Sequence, residues 1–214
     1  MMNAALLFVL VCSIAYLLGS INSAIIVSRL CGLPDPRESG SHNPGATNVL
    51  RLAGKKFALF VLLFDMFKGY VPVLLAKFIG VGLVTQGFVC FFVVLGHMYP
   101  IFFQFQGGKG VATAIGALFA LHPTLGIMTS LTWIFVVQMT HYSSMASLVS
   151  MTAAPLYTLI FLQNSECFPP LFFITMFIFF KHRQNITRLM DGEEPTVQFG
   201  RKSGTEDKPK KKKK

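Results

Sequence analysis

The sequence predicts an all-α integral membrane protein with about seven transmembrane helices. Of its 214 residues, 53% are hydrophobic and only 13% are charged, which is about half the charged fraction of an ordinary soluble domain. The apolar residues form seven runs, and the first three are long enough to cross the hydrocarbon core of a bilayer. Lysine and arginine are concentrated in alternate connections between the runs, as in polytopic membrane proteins.

The apolar runs occupy residues 4–28, 57–79, 84–105, 111–122, 124–140, 145–162 and 168–180. A helix needs about 20 apolar residues to span the hydrocarbon core. The fourth and seventh runs are shorter, so they need their flanks, or a tilted or thinner setting, to cross. The first run has no lysine or arginine before Arg29 and lacks the positive segment of a cleavable signal. We therefore expect it to remain as a helix.

The basic residues predict the orientation of these helices. The connection 29–56 carries five Lys or Arg, the segment 106–110 carries Lys109, and several more follow from Lys181 onwards. The connections near 80–83, 122–124 and 163–168 carry none. Because short basic loops stay on the cytoplasmic side, we expect the N-terminus outside the cell and the C-terminus in the cytoplasm.

We divide the chain into a membrane domain, residues 1–195, and a basic cytoplasmic tail, residues 196–214, that we expect to be disordered. The net charge is +10, and residues 201–214, with eight Lys or Arg and two Asp or Glu, supply six of these charges. Such a run favours the anionic headgroups of membrane lipids, or is simply a solvated tail. Nucleic acid is the other usual partner, and a polytopic protein argues against it.

Several kinds of site are disfavoured by spacing. The four cysteines have no CxxC spacing, so we predict neither a disulfide framework nor a zinc site. The patterns HxxxxD and GxSxG are absent, and acidic residues with metal-ligand spacing are missing. A covalent acyl-enzyme and a metal hydrolase are therefore poorly supported, and we predict no metal and no cofactor.

With the predicted topology, four unusually polar stretches fall on the cytoplasmic face. They are GSHNPGATNVLR at 40–51, GHMYP with GGKGVAT within 96–113, HYSSMAS at 141–147 and KHRQNITRL at 181–189. Four polar loops that meet at one membrane surface indicate a site. Its position at the membrane edge suits a reaction that joins a water-soluble reactant to an apolar one.

The stretch GGKGVAT is a glycine-rich turn that leads into a helix. Gly107, Gly108 and Gly110 allow backbone N–H groups to approach an anion closely. A helix that begins near Val111 directs its positive end to the same place, and Lys109 adds a charge. The turn therefore predicts a phosphate site, although the Walker A pattern is absent and glycine in membrane helices also serves tight packing.

The stretch at 40–51 offers side chains that suit a phosphorylated, hydroxyl-bearing substrate: Ser41, Asn43, Thr47, Asn48 and Arg51. Thr47 and Arg51 are four residues apart and share one face of a helix. Hydroxyls and amides can hold substrate hydroxyls, and Arg51 can contact phosphate through two hydrogen bonds. The alternative is a polar loop with a helix cap and a cytoplasmic arginine.

The last polar stretches add a histidine, an asparagine and a serine. His182 and Asn185 are three apart and face one way on a helix, while Arg183 and Arg188 are expected to point elsewhere. His182 is a candidate general base or phosphate partner, or else part of a basic helix end. Ser144 is a candidate as well, although small hydroxyls in membrane helices more often serve helix packing.

Asp65 and Lys68 lie within the second apolar run and are three residues apart. Ionisable groups inside a membrane span are costly and usually face a partner. We interpret them first as a structural ion pair, and only second as part of the site.

Together these motifs resemble the bacterial acyl-phosphate:glycerol-3-phosphate acyltransferases (PlsY type), which are small integral membrane enzymes. The resemblance runs from GS at 19–20 to EEP at 193–195 and includes LPDPRESGSHNPGATNVLR, DMFKGYVPVLLA, GHMYPIFFQFQGGKGVATAIGA, YSSMASLVS and KHRQNITRLMDGEEP. The sequence departs from the family pattern Gly-Ser-Gly-Asn-Pro-Gly at one position, where His42 stands in place of the second glycine. If that position has a positive φ, histidine adopts it at a modest cost.

The resemblance implies a seven-span enzyme of the bacterial inner membrane whose active site lies at the cytoplasmic face. It implies transfer of a fatty acyl group from acyl phosphate to the 1-hydroxyl of glycerol 3-phosphate, giving lysophosphatidate and phosphate in the first step of phospholipid synthesis. It also implies which residues carry the site: Ser41, Arg51, Lys109 with its glycines, Ser144, His182 and Asn185. We assign catalysis to Ser41, Arg51, His182 and Asn185, and substrate binding to the remaining candidates.

This chemistry fits the residue types. An acyl phosphate is an activated mixed anhydride, so the enzyme has chiefly to position two anions and neutralise their charge. His182 and a substrate phosphate oxygen both remain candidates for the proton acceptor. A phosphate-linked transporter or flippase would more naturally show two related halves, and a scaffold for peripheral partners would not need four polar loops on one face.

Overall fold

The computed structural model describes residues 3–162 and 165–197, and the regular structure within these ranges is helical. The ten α-helices found there are α1 Ala4–Gly19, α2 Ser23–Leu30, α3 Ala46–Ala53, α4 Lys55–Ile79, α5 Leu83–Met98, α6 Val111–Leu121, α7 Pro123–Thr140, α8 Ser143–Tyr157, α9 Phe168–Lys181 and α10 Arg183–Met190. A single π-helical turn, Thr158–Leu162, extends α8. Residues 198–214, nearly all of the predicted basic tail, lie outside the described residues.

Five helical segments are long and apolar enough to cross a membrane: Ala4–Leu30, Lys55–Ile79, Leu83–Phe103, Pro123–Thr140 and Ser143–Leu162. The two apolar runs that were short in the sequence form the shorter apolar helices Val111–Leu121 and Phe168–Lys181. The prediction of an all-α, multi-pass chain is confirmed over the described residues. The count of seven spans and the orientation of the termini stay predictions.

The first apolar run is not one continuous helix, contrary to our expectation. It breaks at residues 20–22, between α1 and α2. Asn22 has an extended backbone, and its side-chain oxygen accepts the Ile25 N–H at 3.1 Å, so it caps a new helix. Ser20 turns its hydroxyl back to the Tyr16 carbonyl at 2.8 Å. Local side-chain hydrogen bonds of this kind compete with helix continuation.

Helix α6 lies at the centre of the bundle although it is short, since eight of its eleven residues are buried. It packs most closely against α4. Gly69 of α4 lies against the Thr113 carbonyl, and Gly116 of α6 lies against the Met66 carbonyl, so closely that a Cβ at either glycine would overlap backbone atoms. Small residues allow membrane helices to approach in this way, and the approach fixes where α6 begins.

Candidate active site

The four polar stretches surround one cavity of about 330 Å³. Of the twelve side chains and glycines predicted for the site, ten line this cavity: Ser41, Asn43, Thr47, Asn48, Arg51, Lys109, Gly110, Ser144, His182 and Asn185. Gly107 and Gly108 do not line it. The fold therefore brings the predicted loops together, while the role of each residue stays a prediction.

The loop that precedes α3 is shaped by Asn48. The Asn48 side-chain oxygen accepts the Ser41 N–H at 2.9 Å, and its amide nitrogen donates to the carbonyls of Pro36 and Ser39, both at 2.9 Å. Gly40 has φ +66° and lies so close that a Cβ there would overlap the Asn48 amide. Asn48 was predicted to hold substrate, but these bonds engage both ends of its amide. The structure instead makes it the residue that holds Ser41 in place.

His42, the departure from the family pattern, has φ +55°. The position is therefore one that favours glycine, as the pattern indicated. Histidine is tolerated in this left-handed region more readily than bulky or β-branched residues are. Its side chain is exposed, and Nδ1 lies 3.1 Å from the Arg37 carbonyl. The substitution thus leaves the loop intact.

The glycine turn before α6 is built differently from a simple phosphate cradle. Gly107 and Gly108 are buried against the end of α5, and the Gly108 N–H donates to the His97 carbonyl at 3.2 Å. A Cβ on either glycine would overlap His97. The Gly108 N–H is therefore already engaged by His97, and its predicted role toward an anion stays a prediction. Gly110, with φ +84°, is the N-cap residue directly before α6.

Lys109 is the cation that this turn presents to the cavity. Its ammonium is half-buried and donates a hydrogen bond to the Asn185 side-chain oxygen. The pKa of Lys109 is lowered to about 8, chiefly by burial. Glu194 partly offsets this effect, and the charges of Arg188 and Arg51 add to it. Lys109 is therefore largely protonated at neutral pH and is held among other cations, so an anion placed beside it would be strongly attracted.

His182 lies in the turn between α9 and α10 and is buried, at 3% exposure. Its Nδ1 lies 2.8 Å from the Ile178 carbonyl. A carbonyl only accepts, so Nδ1 carries the proton and Nε2 carries the lone pair. Burial, together with the nearby charge of Lys109, lowers the pKa of His182 to about 4. The imidazole is therefore neutral at physiological pH and offers an acceptor at Nε2.

Glu194, which the sequence analysis missed, organises the last motif. It accepts hydrogen bonds from Asn185 Nδ2 at 2.6 Å and from Arg188 Nε at 2.8 Å. Burial alone would raise the pKa of Glu194, but these bonds and the nearby Ser144 hydroxyl bring it below the usual value, so the carboxylate is charged. Ser144 makes no well-formed hydrogen bond of its own among the described residues. Arg188 was expected to point away, and it lines the cavity instead.

Residues 191–197 follow α10, and Glu194 and Pro195 among them line the cavity. The Pro195 carbonyl lies 3.5 Å from an Arg51 terminal nitrogen, and the Val197 N–H donates to the His141 carbonyl at 2.8 Å. This segment, residues 191–197, thereby brings Glu194 next to Asn185. In the sequence, only the two glutamates of EEP (193–195), directly after a basic helix, indicated such a contact.

Apolar side chains line the cavity as well: Leu62, Met66, Ile115, Trp133 and Ile134. Leu62 on α4 is 37% exposed and Ile134 on α7 is 45% exposed. Both helices are long and apolar enough to cross a membrane, so these two lining residues belong to candidate membrane spans. The indole N–H of Trp133 donates to the Ser147 hydroxyl at 3.1 Å, which fixes the ring.

The cavity is also lined by Asp65 and His97. The predicted ion pair of Asp65 with Lys68 is present at 2.8 Å. In the sequence, the position of Asp65 inside an apolar run was enough to indicate that it has a buried partner. His97 gave no comparable signal, because a histidine near a helix end is common and only the fold brings it to Asp65.

Comparisons with known proteins agree with this arrangement. The sequence profile of the glycerol-3-phosphate acyltransferases matches residues 9–192. A glycerol-3-phosphate acyltransferase of Legionella pneumophila (strain Philadelphia 1) is 55% identical over 193 residues, covering 90% of this chain and 70% of that protein. One from Pseudoalteromonas translucida is 49% identical over 207 residues, covering 97% of this chain and 98% of that protein.

Two solved structures are similar over most of the chain. One is PlsY (YgiH), an integral membrane glycerol 3-phosphate acyltransferase, in its glycerol 3-phosphate form; the TM-score is 0.85 at 37% identity, covering 89% of this chain and 96% of that one. The other is its lysophosphatidic acid form, with a TM-score of 0.82 at 36% identity, covering 89% of this chain and 95% of that one. By profile, sequence identity and fold, the chain belongs to the glycerol-3-phosphate acyltransferase family.

Proposed function

We propose that this protein transfers a fatty acyl group from acyl phosphate to the 1-hydroxyl of glycerol 3-phosphate. The products are lysophosphatidate and inorganic phosphate. Family membership supports glycerol 3-phosphate as the acceptor, since related proteins are named for that activity. The choice of acyl phosphate as donor rests on the motif resemblance and on the chemistry of the cavity.

One observation carries the proposal: a single cavity is lined by both cationic and apolar side chains. Arg51, Lys109 and Arg188 are its cations, and Glu194 is a carboxylate near them. The excess of positive charge suits two phosphate-bearing reactants. The apolar lining, which includes Trp133, suits an acyl chain that enters from the membrane.

Each loop has a proposed partner. Lys109 holds the phosphate of glycerol 3-phosphate in the ground state, and Asn185 orients Lys109 through their hydrogen bond. Ser41 and Arg51 lie beside the carbonyl and phosphate of the donor, where Arg51 balances the charge that develops on the leaving phosphate. Asn43, Thr47 and Ser144 supply hydrogen bonds to substrate oxygens.

The reaction is a direct displacement. The 1-hydroxyl oxygen forms a bond to the acyl carbon, and the bond from that carbon to the phosphate oxygen breaks, with both electrons leaving on phosphate. His182 accepts a hydrogen bond from the attacking hydroxyl at Nε2, but a pKa of about 4 makes it a poor lasting acceptor for the proton. We therefore place the proton on a phosphate oxygen of the donor, which becomes the departing phosphate.

We further propose that the enzyme works in the bacterial inner membrane with its cavity at the cytoplasmic face. Seven spans, an outer N-terminus and a cytoplasmic C-terminus satisfy the distribution of Lys and Arg in the sequence. Residues 1–195 then form the membrane enzyme, and the basic tail, residues 196–214, is attracted to anionic headgroups.

The test is turnover by the purified protein in detergent micelles. Acyl phosphate and radiolabelled glycerol 3-phosphate are supplied without other donors, and the label is followed into lysophosphatidate. We expect product with the wild-type protein and a large loss with Arg51→Ala. Absence of labelled product from well-folded wild-type protein would contradict the proposal.

A further inference from the structure

A buried polar network beside the cavity joins three segments of the chain. The Asp65 carboxylate accepts a hydrogen bond from the Ser23 hydroxyl at 2.7 Å and lies 2.8 Å from the Lys68 ammonium. Nδ1 of His97 lies 3.5 Å from the same carboxylate oxygen. All four residues are 5% exposed or less. The network thus connects α2, α4 and the end of α5.

The network does more than neutralise a buried charge. Two oppositely charged residues one helical turn apart already satisfy that need. Here Lys68 also donates to the Ile21 carbonyl at 2.8 Å, in the break between α1 and α2. That carbonyl lies where the helix is interrupted, so the bond fixes the break against α4.

His97 connects the network to the Lys109 turn. Its carbonyl accepts the Gly108 N–H at 3.2 Å, and its ring occupies the space that a side chain at position 108 would need. Lys109 is the next residue. From the opposite side, Lys181 donates to the carbonyls of Met98 and Gly107 at 3.2 and 3.5 Å. The turn is therefore held between α9 and the imidazole.

The contact of His97 with Asp65 is loose. Nδ1 is buried and makes no hydrogen bond of good geometry among the described residues. Buried polar groups are nearly always paired, and the Asp65 carboxylate, at 3.5 Å, is the partner that the structure offers to this nitrogen. A change at Asp65 would therefore be felt by the imidazole and by the turn packed on it.

We propose that Ser23, Asp65, Lys68 and His97 form a positioning network that sets how deeply Lys109 reaches into the cavity. The network acts through Lys109 rather than on the reacting atoms. This role rests on the proposed function, in which Lys109 binds the phosphate of glycerol 3-phosphate. It follows that weakening the network should weaken glycerol 3-phosphate binding more than the chemical step.

The first test compares two variants, each of which removes a different buried hydroxyl. Ser23→Ala removes a hydrogen bond to Asp65, whereas Thr175→Val removes the bond from the Thr175 hydroxyl to the Met151 carbonyl, at 2.7 Å between α9 and α8 and away from the cavity lining. We expect Ser23→Ala to raise the KM for glycerol 3-phosphate about fivefold, in line with the loss of one hydrogen bond, with kcat nearly unchanged. Thr175→Val should lower the melting temperature but leave that KM unchanged.

The second test is a double-mutant cycle. Asp65→Asn keeps the shape of the side chain and removes its charge, and we expect it to raise the KM for glycerol 3-phosphate by about tenfold or more, as the loss of a charged partner in a buried network implies. If the network acts through Lys109, adding Asp65→Asn to Lys109→Ala should change the KM no further. If the factors by which the two single variants raise the KM multiply in the double variant, the proposal is contradicted. Should Asp65→Asn fail to fold, the same cycle is run with Ser23→Ala.

A binding measurement separates this inference from the proposed function. The single Trp of the chain, Trp133, lines the cavity, so its fluorescence can follow glycerol 3-phosphate binding without any donor. Absence of turnover by the wild type would contradict the proposed function alone. Wild-type turnover together with an unchanged Kd and KM in Ser23→Ala would overturn the positioning network alone.

Discussion

Raising the pH from 7 to 9 should weaken the use of glycerol 3-phosphate through the loss of one proton. The pKa of Lys109 is lowered from 10.5 to about 8, first by burial. The ammonium is therefore charged below pH 8 and loses its charge as the pH rises through that value. The phosphate of the substrate is a dianion over this range, because the second pKa of a phosphate monoester is about 6.

The size of the effect follows from the titration of Lys109. With a pKa of about 8, roughly nine-tenths of the enzyme carries the charge at pH 7 and roughly one-tenth at pH 9. If only the charged form binds the phosphate productively, kcat/KM for glycerol 3-phosphate falls about tenfold between these values. His182 does not contribute, because its pKa of about 4 lies well below the range.

The assay is steady-state turnover in micelles at saturating acyl phosphate, with initial rates taken before the donor hydrolyses. Lys109→Arg is the matched control, because a guanidinium keeps its charge throughout this range. We expect the control to show a lower but flat profile. Parallel falls in both proteins, or a flat wild-type profile, would refute the assignment of Lys109 to the glycerol 3-phosphate phosphate.

Two further predictions concern the division of the substrates and the topology. Lys109→Ala should raise the KM for glycerol 3-phosphate by about tenfold or more, as loss of a charge-assisted contact implies, whereas Ser41→Ala and Arg51→Ala should mainly lower kcat. Steady-state kinetics of the folded variants checks this. An unchanged KM with a collapsed kcat in Lys109→Ala would mean that the Lys109 turn serves the donor and the 40–51 loop serves glycerol 3-phosphate. In a variant free of exposed cysteine, Gly82→Cys should react with an impermeant thiol reagent from outside the cell and Gln106→Cys only after lysis; labelling of intact cells at position 106 would invert the proposed topology.

The helical architecture could be predicted because a bilayer demands long apolar runs, and each predicted run is mainly helical in the structure. The break at residues 20–22 could not be predicted in the same way. Its cause is a local competition, in which Asn22 caps a new helix and Lys68, distant in sequence, binds the Ile21 carbonyl. Average hydropathy does not register such a contact.

The location of the site was predictable for a related reason. Polar loops beside apolar spans are conspicuous, and ten of the twelve predicted residues line the cavity. Individual roles were harder to predict, because they depend on partners that only the fold supplies. Asn48 uses its amide on the backbone of its own loop, Gly108 uses its N–H on His97, and Glu194, which follows α10, binds Asn185 at the cavity.

The proposed donor is tested by following both products in one reaction. Purified enzyme receives glycerol 3-phosphate with acyl phosphate, or with acyl-CoA of the same chain length, and lysophosphatidate and inorganic phosphate are quantified together. We expect equal amounts of lysophosphatidate and phosphate from acyl phosphate, and no product from acyl-CoA. Efficient lysophosphatidate formation from acyl-CoA, or phosphate release without lysophosphatidate, would contradict the proposed use of acyl phosphate.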